Sequence, residues 1–160
     1  MSGFVIFALP LAGGILALAP LPGRGGHYRE DIAHLHDWQP ALVVSMATET
    51  EMAAHGAAML GSDVQDMGTR WVLVPVSDFG IPGAEAEEAW HRASNAALGA
   101  LQGGGRVLIH CMGGCGRSGM AALRLMVESG EAPDAALDRL RAIRPCAVET
   151  QEQLAWARDW

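Results

Sequence analysis

Residues 106–130 read RVLIHCMGGCGRSGMAALRLMVESG, and the order of residue types in this stretch decides the fold. The aliphatic run RVLIH follows the breaker Gly103–Gly105 and is of strand length, which predicts a buried strand. From about Ser118 to Ser129 the apolar residues recur at helical spacing and Gly130 closes the run, which predicts a helix over 118–129. Between the two, Gly113, Gly114 and Gly116 let the backbone curl tightly enough to turn several N–H groups toward one centre. The helix start adds its own unpaired amides and the positive end of its dipole, so the junction is an anion cradle at the carboxyl end of a strand.

Working outward, periodicity and breakers predict strands at about 4–9 and 14–19 and a short helix at YREDIAHLHDW (28–38). A buried strand follows at ALVVSM (41–46), then a helix at ETEMAAHGAAML (49–60), a strand at RWVLVPV (70–76) and a loop at SDFGIPG (77–83). A long amphipathic helix covers AEAEEAWHRASNAALGALQ (84–102), and after the central stretch two further helices are expected at about 134–143 and 151–159. Strands alternating with helices long enough for right-handed crossovers predict a single three-layer α/β domain around a mostly parallel sheet. Glu85, Glu87 and Glu88 fall in the first turns of the long helix, where negative charge complements the macrodipole.

The composition narrows the function classes. The 160 residues are half apolar and carry a formal charge of −7, which disfavours a sequence-independent grip on nucleic acid or on an anionic membrane. Any anion site must therefore be local. The run GFVIFALPLAGGILALAPLPG (3–23) is broken by Pro10, Gly13, Gly14, Pro20 and Pro22 and lacks a basic flank before it. It reads as two core strands joined by a turn, not as a transmembrane helix or a signal peptide. Three cysteines, at 111, 115 and 146, show no secreted-framework spacing, which favours a reducing cytoplasm.

Into the positive concavity the sequence puts Cys111, where converging amides, a helix start and the Arg117 guanidinium all favour thiolate over thiol. Arg117 brings a planar fork suited to bidentate contact with a tetrahedral anion, and the amides of Met112, Gly113, Gly114, Cys115 and Gly116 complete the ring. Ser118 is placed to donate a hydrogen bond to the sulfur when it leaves. Such a cradle over a thiolate suits covalent phosphoryl transfer. Gly114, Gly116 and Gly119 also spell G-x-G-x-x-G, but a dinucleotide site needs a further strand and an acidic residue about twenty positions on, where this chain reads as helix after helix.

The string HCMGGCGRSG (110–119) resembles the His-Cys-x-x-x-x-x-Arg-Ser/Thr-Gly signature of the cysteine-dependent protein tyrosine phosphatases, including their small dual-specificity branch. The resemblance extends over most of the chain, from GGILALAPLPG (13–23) through ALVVSMATETEM (41–52) to the carboxyl end. It implies that His110 orders the loop by hydrogen bonding and that an upstream Asp protonates the leaving oxygen. Asp78, in VPVSDFGIP (74–82) and flanked by Pro75 and Pro82, matches that acid; Asp63 and Asp66 are the fallback carboxylates, although they precede their strand. IRPCAVETQEQL (143–154) resembles the family segment Arg-Pro-x-Ala-x-x-Thr-x-x-Gln, which implies that Gln153, or nearby Gln151, orients the hydrolytic water. Thr150 and Gln153 also form a capping box.

Cys115 departs from the family pattern; it either packs or, if its sulfur reaches Cys111, forms a reversible internal disulfide that protects the nucleophile. The Cys/His spacing suggests no metal site, and no cofactor is implied. Loop residues 112–116 carry no Lys or Arg, which disfavours a polyanionic phosphoinositide head group. The expected substrate is a phosphorylated protein, with a small phosphorylated metabolite as the alternative and a phosphate-dependent binding module as the rival class.

Overall fold

The computed structural model describes residues 3–159. A central five-stranded sheet has the order β1-β2-β5-β3-β4, with β1 Phe7–Leu11, β2 Gly14–Ala19, β3 Leu42–Ser45, β4 Arg70–Leu73 and β5 Arg106–His110. Only β1 runs antiparallel; the remaining pairs are parallel, so the sheet is mixed. Helices α1 Tyr28–Trp38, α2 Glu49–Ala54 and α3 Leu60–Asp66 cover one face, and α4 Ala84–Gln102, α5 Gly116–Glu128, α6 Pro133–Ile143 and α7 Gln151–Arg158 cover the other.

The pleat explains the layering. In β5, Val107 and Ile109 face α4 and α5 while Leu108 faces α1, α2 and α3, and in β2 Leu16 and Leu18 oppose Ala17 and Ala19 in the same way. Both faces of the central strands are therefore apolar, as a covered parallel sheet requires. Truncating Leu108 to Ala would cost about 2–5 kcal/mol through transfer and cavity terms. α5 is buried from Gly116 to Met126, which makes it the axis around which α6 and α7 pack.

Three departures from the sequence reading have local causes. The first strand lies at 7–11 rather than 4–9, because Pro10 does not end it: β1 is an edge strand, where a missing N–H costs no ladder bond. Leu11 pairs with Gly14 across Ala12 (φ 53°) and Gly13 (φ 95°), a tight hairpin with left-handed residues at both central positions. The helix expected over 49–60 is instead two, because the chain breaks at His55 and at Gly56 (φ 75°) before α3 begins. α5 starts at Gly116, two residues early, so the helix end reaches into the loop. Among the described residues no helix is long and apolar enough to cross a membrane.

Candidate active site

β5 delivers the chain to Cys111, and α5 carries it away from Gly116. Between them the backbone hydrogen bonds are sorted by sign. The carbonyl of Met112 accepts from Leu21 N (2.9 Å), those of Gly113 and Gly114 from the Arg144 guanidinium (2.9 and 3.1 Å), and that of Cys115 from Gly119 N and Val148 N (2.9 and 3.2 Å). The amide N–H groups of residues 112–118, in contrast, donate to no protein acceptor among the described residues. Every carbonyl of residues 112–115 is held by an outside donor, and a run of donors is left over for an anion. Gly114 is required here: its φ is 74°, and a β-carbon would lie 2.8 Å from the carbonyl carbon of Ala19.

Cys111 is a buried, free thiol whose Sγ lies 3.2 Å from Ser118 Oγ. Arg117 is also buried, and its guanidinium is fixed by three hydrogen bonds: Glu51 accepts from Nη1 and Nη2 at 2.6 and 2.9 Å, and Val76 O accepts from Nη1 at 2.8 Å. Glu51 thereby sits well below the usual carboxylate range, at about 2, chiefly because Arg117 donates to it. Its own position comes from a capping box with Thr48 at the start of α2. Arg117 is raised further above its already high ordinary value by the Glu51 hydrogen bond and the negative charges beside it, which outweigh burial.

Asp78 lies in the loop after β4, 55% exposed, with Oδ1 3.4 Å from Arg117 Nη2 and accepting from Phe79 N at 3.0 Å. Phe79 is itself left-handed (φ 62°) and exposed. The structure therefore brings Asp78 to the mouth of the cradle, whereas the fallback carboxylates are elsewhere: Asp63 accepts from Tyr28 Oη at 2.5 Å on α3, and Asp66 ends the same helix. Cys111, Arg117 and Asp78 line one pocket of about 280 Å³ together with Arg24, Arg144 and Glu149.

His110 is fully buried beneath the loop. Its Nδ1 is 3.0 Å from Cys111 O, its Nε2 is 2.5 Å from Ser45 Oγ, and the Trp71 indole N–H donates to that same hydroxyl at 2.9 Å. Burial pushes the imidazole down to about 4, so it is neutral near pH 7 and works as a strut. Gln153 is buried and closes the α7 capping box: its Oε1 accepts from Glu149 N and Thr150 N, and its Nε2 donates to Gly80 O at 3.2 Å. It ties the Asp78 loop to α7 without lining the pocket. Gln151, the nearby substitute, is exposed on α7, while Glu149 does line the pocket.

Cys115 is bonded to Cys146, not to Cys111; the Cα atoms are 5.1 Å apart. The pairing expected as possible between Cys115 and Cys111 is therefore not the one formed. The odd cysteine count resolves into one disulfide and one free thiol, and it no longer argues for reducing surroundings. The bridge pins the back of the loop to the connector between α6 and α7, whose Arg144 holds two of the loop carbonyls.

The fold has solved relatives. A kinase associated phosphatase (KAP), solved with its catalytic cysteine changed to serine, superposes with a TM-score of 0.86 over 99% of this chain and 94% of its own, at 23% identity. Tk-PTP in its active form gives 0.73 over 94% and 92% at 27% identity, and PTPMT1 in complex with PI(5)P gives 0.75 over 96% and 93% at 18% identity. No curated protein matches the chain. Residues 23–159, from the turn before Arg24 through α7, match the family model described as Swiss Army Knife protein, DSP-PTPase phosphatase domain (PTP-SAK), and on that match the chain belongs to this family of phosphatase domains.

Proposed function

We propose that this domain removes phosphate from phosphotyrosine, and from phosphoserine and phosphothreonine, in proteins by way of a cysteinyl-phosphate. The observation that carries the reading is the sorting of the loop: carbonyls tied outward, amides 112–118 without protein acceptors, and a buried sulfur among them. A tetrahedral dianion is the ligand that such a ring of donors and the Arg117 fork fit.

In the first step the Cys111 Sγ lone pair forms a bond to phosphorus. The ester P–O bond breaks, its electron pair goes to the leaving oxygen, and Asp78 supplies that oxygen with a proton. In the second step water attacks the phosphorus, Asp78 takes its proton, and the S–P electron pair returns to sulfur. Ser118 Oγ, 3.2 Å away, donates to the sulfur as it leaves. Asp78 acts as acid and then as base, so one carboxyl at the pocket mouth serves both half-reactions. Gln153 supports the second step by holding the Asp78 loop through Gly80 O.

A binding module of the same fold would keep the cradle and lose a reacting group, but this chain carries nucleophile, guanidinium and acid together. The deciding experiment is a panel of phosphopeptides and small phosphomonoesters assayed with wild type and Asp78→Asn in the presence of a chelator. Turnover of peptides that is blocked by vanadate and absent in Cys111→Ser is the expected result. Full activity in Cys111→Ser would end the mechanism, and turnover confined to small esters would end the protein-substrate reading.

A further inference from the structure

Three guanidinium groups line the pocket over Cys111, and two of them are committed. Arg117 is held by Glu51 and Val76 O. Arg144 donates to Gly113 O and Gly114 O, and its Cζ lies over the Phe7 ring, 4.3 Å from the centroid. Arg24 is the third. Its Nη1 stands 3.5 Å from the point where a β-carbon on Gly113 would sit, yet its side chain donates to no acceptor and pairs with no carboxylate among the described residues.

The backbone beneath Arg24 is fixed to the phosphate loop. Leu21 N donates to Met112 O (2.9 Å), Arg24 N to Leu21 O (3.0 Å), and Gly23 N to the buried Asp31 Oδ2 (2.8 Å). Arg24 also borders a neighbouring cavity of about 250 Å³ lined by Pro20, Leu21 and Asp31, so this exposed residue belongs to two adjoining depressions. A cation with no hydrogen-bond or ion-pair partner for its side chain among the described residues is thus laid along the rim of an anion cradle in a chain whose net charge is −7.

Resting on the phosphatase reading above, we propose that Arg24 reads a second anionic group of the substrate, an acidic side chain flanking the phosphorylated residue of a peptide. A guanidinium with free N–H groups suits a carboxylate by charge and by planar geometry. Two features favour a peptide over a polyanionic head group: the acidic chain repels an anionic lipid surface, and the same pocket presents the Asp78 and Glu149 carboxylates to any ligand richer in charge. The absence of basic residues within 112–116 hid this feature, because the extra cation arrives from the turn after β2.

The test compares two phosphotyrosine peptides of one sequence, flanked on both sides by aspartate or by alanine, on wild type, Arg24→Ala and Arg24→Gln. Wild type should favour the aspartate peptide about fivefold in kcat/KM, mostly through KM and less so at high salt, and both variants should lose that preference. The readout is a ratio on one protein, so a general loss of activity cancels. Calorimetric titration of both peptides into Cys111→Ser and Cys111→Ser/Arg24→Ala measures the same preference without turnover. Arg24-dependent binding preference with no hydrolysis by wild type would overturn the phosphatase reading and leave Arg24 in its role. An equal ratio with and without the Arg24 side chain overturns the proposal, as does an Arg24-dependent preference for an inositol bisphosphate over the aspartate peptide.

Discussion

Glu51 grips Arg117 through both of its carboxylate oxygens, at 2.6 and 2.9 Å, across 66 residues of sequence. The pair joins the start of α2 to the start of α5, so the helix that carries Glu51 sets the orientation of the anion-binding fork.

Removing that grip leaves a buried guanidinium with only Val76 O and the more distant Asp78. Glu51→Ala should destabilise the fold by about 3 kcal/mol and lower kcat/KM by tenfold or more. Urea denaturation together with p-nitrophenyl phosphate kinetics checks both effects. Wild-type kinetics in a stable Glu51→Ala would separate α2 from the site.

Asp78 reaches the pocket mouth from an exposed loop, where a proton donor matters in proportion to how poor the leaving group is. Asp78→Asn should slow phosphoserine peptides by about 10²–10⁴ and p-nitrophenyl phosphate by much less, because nitrophenolate departs without help. Parallel kcat measurements on the two substrates decide it; equal losses would remove Asp78 from the acid role.

His110 gives the fold an acid limit. Its folded value of about 4 lies below the ordinary 6.5, so the unfolded chain binds the proton more readily than the native one. Stability is full above about pH 6.5 and falls as pH drops toward about 4, by roughly 2 kcal/mol at pH 5. Glu51, depressed from 4.5 to about 2, adds a loss in the same direction below pH 4.5. Chemical denaturation at pH 7.5 and pH 5 measures the difference, and His110→Asn should flatten that interval.

The Cys115–Cys146 bridge closes a loop of 31 residues. Replacing both cysteines by serine should cost up to about 4 kcal/mol of stability by restoring freedom to the unfolded chain, read as a lower Tm. With Cys115 engaged, oxidised Cys111 has no neighbouring thiol to resolve it. Peroxide inactivation should therefore recover equally poorly with dithiothreitol in wild type and in the variant with both Cys115 and Cys146 replaced by serine. Strong recovery in wild type alone would show that the bridge exchanges onto Cys111.

The parts of the site that were legible in the sequence are those that lie within one continuous segment. Residues 110–119 supply strand end, buried cysteine, glycine curl and arginine in covalent order, so their proposed chemistry could be read from spacing. Asp78 was visible because a strand and two prolines frame it. Glu51 was missed: the structure shows it as half of the Thr48 capping box, and that pattern names a helix start and says nothing of Arg117. Arg144 was marked only as the arginine that opens the segment over 143–154, with no sign that it reaches the loop, and Arg24, Glu149, Ser45 and Trp71 come from other elements with nothing local to mark them. Cys115 and Cys146 carry no pairing signature either, because bonding depends on a Cα separation that only the folded chain sets. Helix periods and a mostly parallel sheet were readable; the strand order, the edge position of Pro10 and the break at Gly56 were not, since all three depend on what lies alongside.

The outward ties of the phosphate loop also bear on how the reaction ends. A mould that Arg144, Leu21, Val148 and a disulfide have already set pays its ordering cost during folding, before any ligand arrives. Such a mould suits whatever tetrahedral oxyanion fits it, and orthophosphate released by the proposed reaction presents the same kind of oxygens as the ester. Product inhibition is therefore built into the architecture, and the concentration of free phosphate around the protein becomes a brake on its turnover.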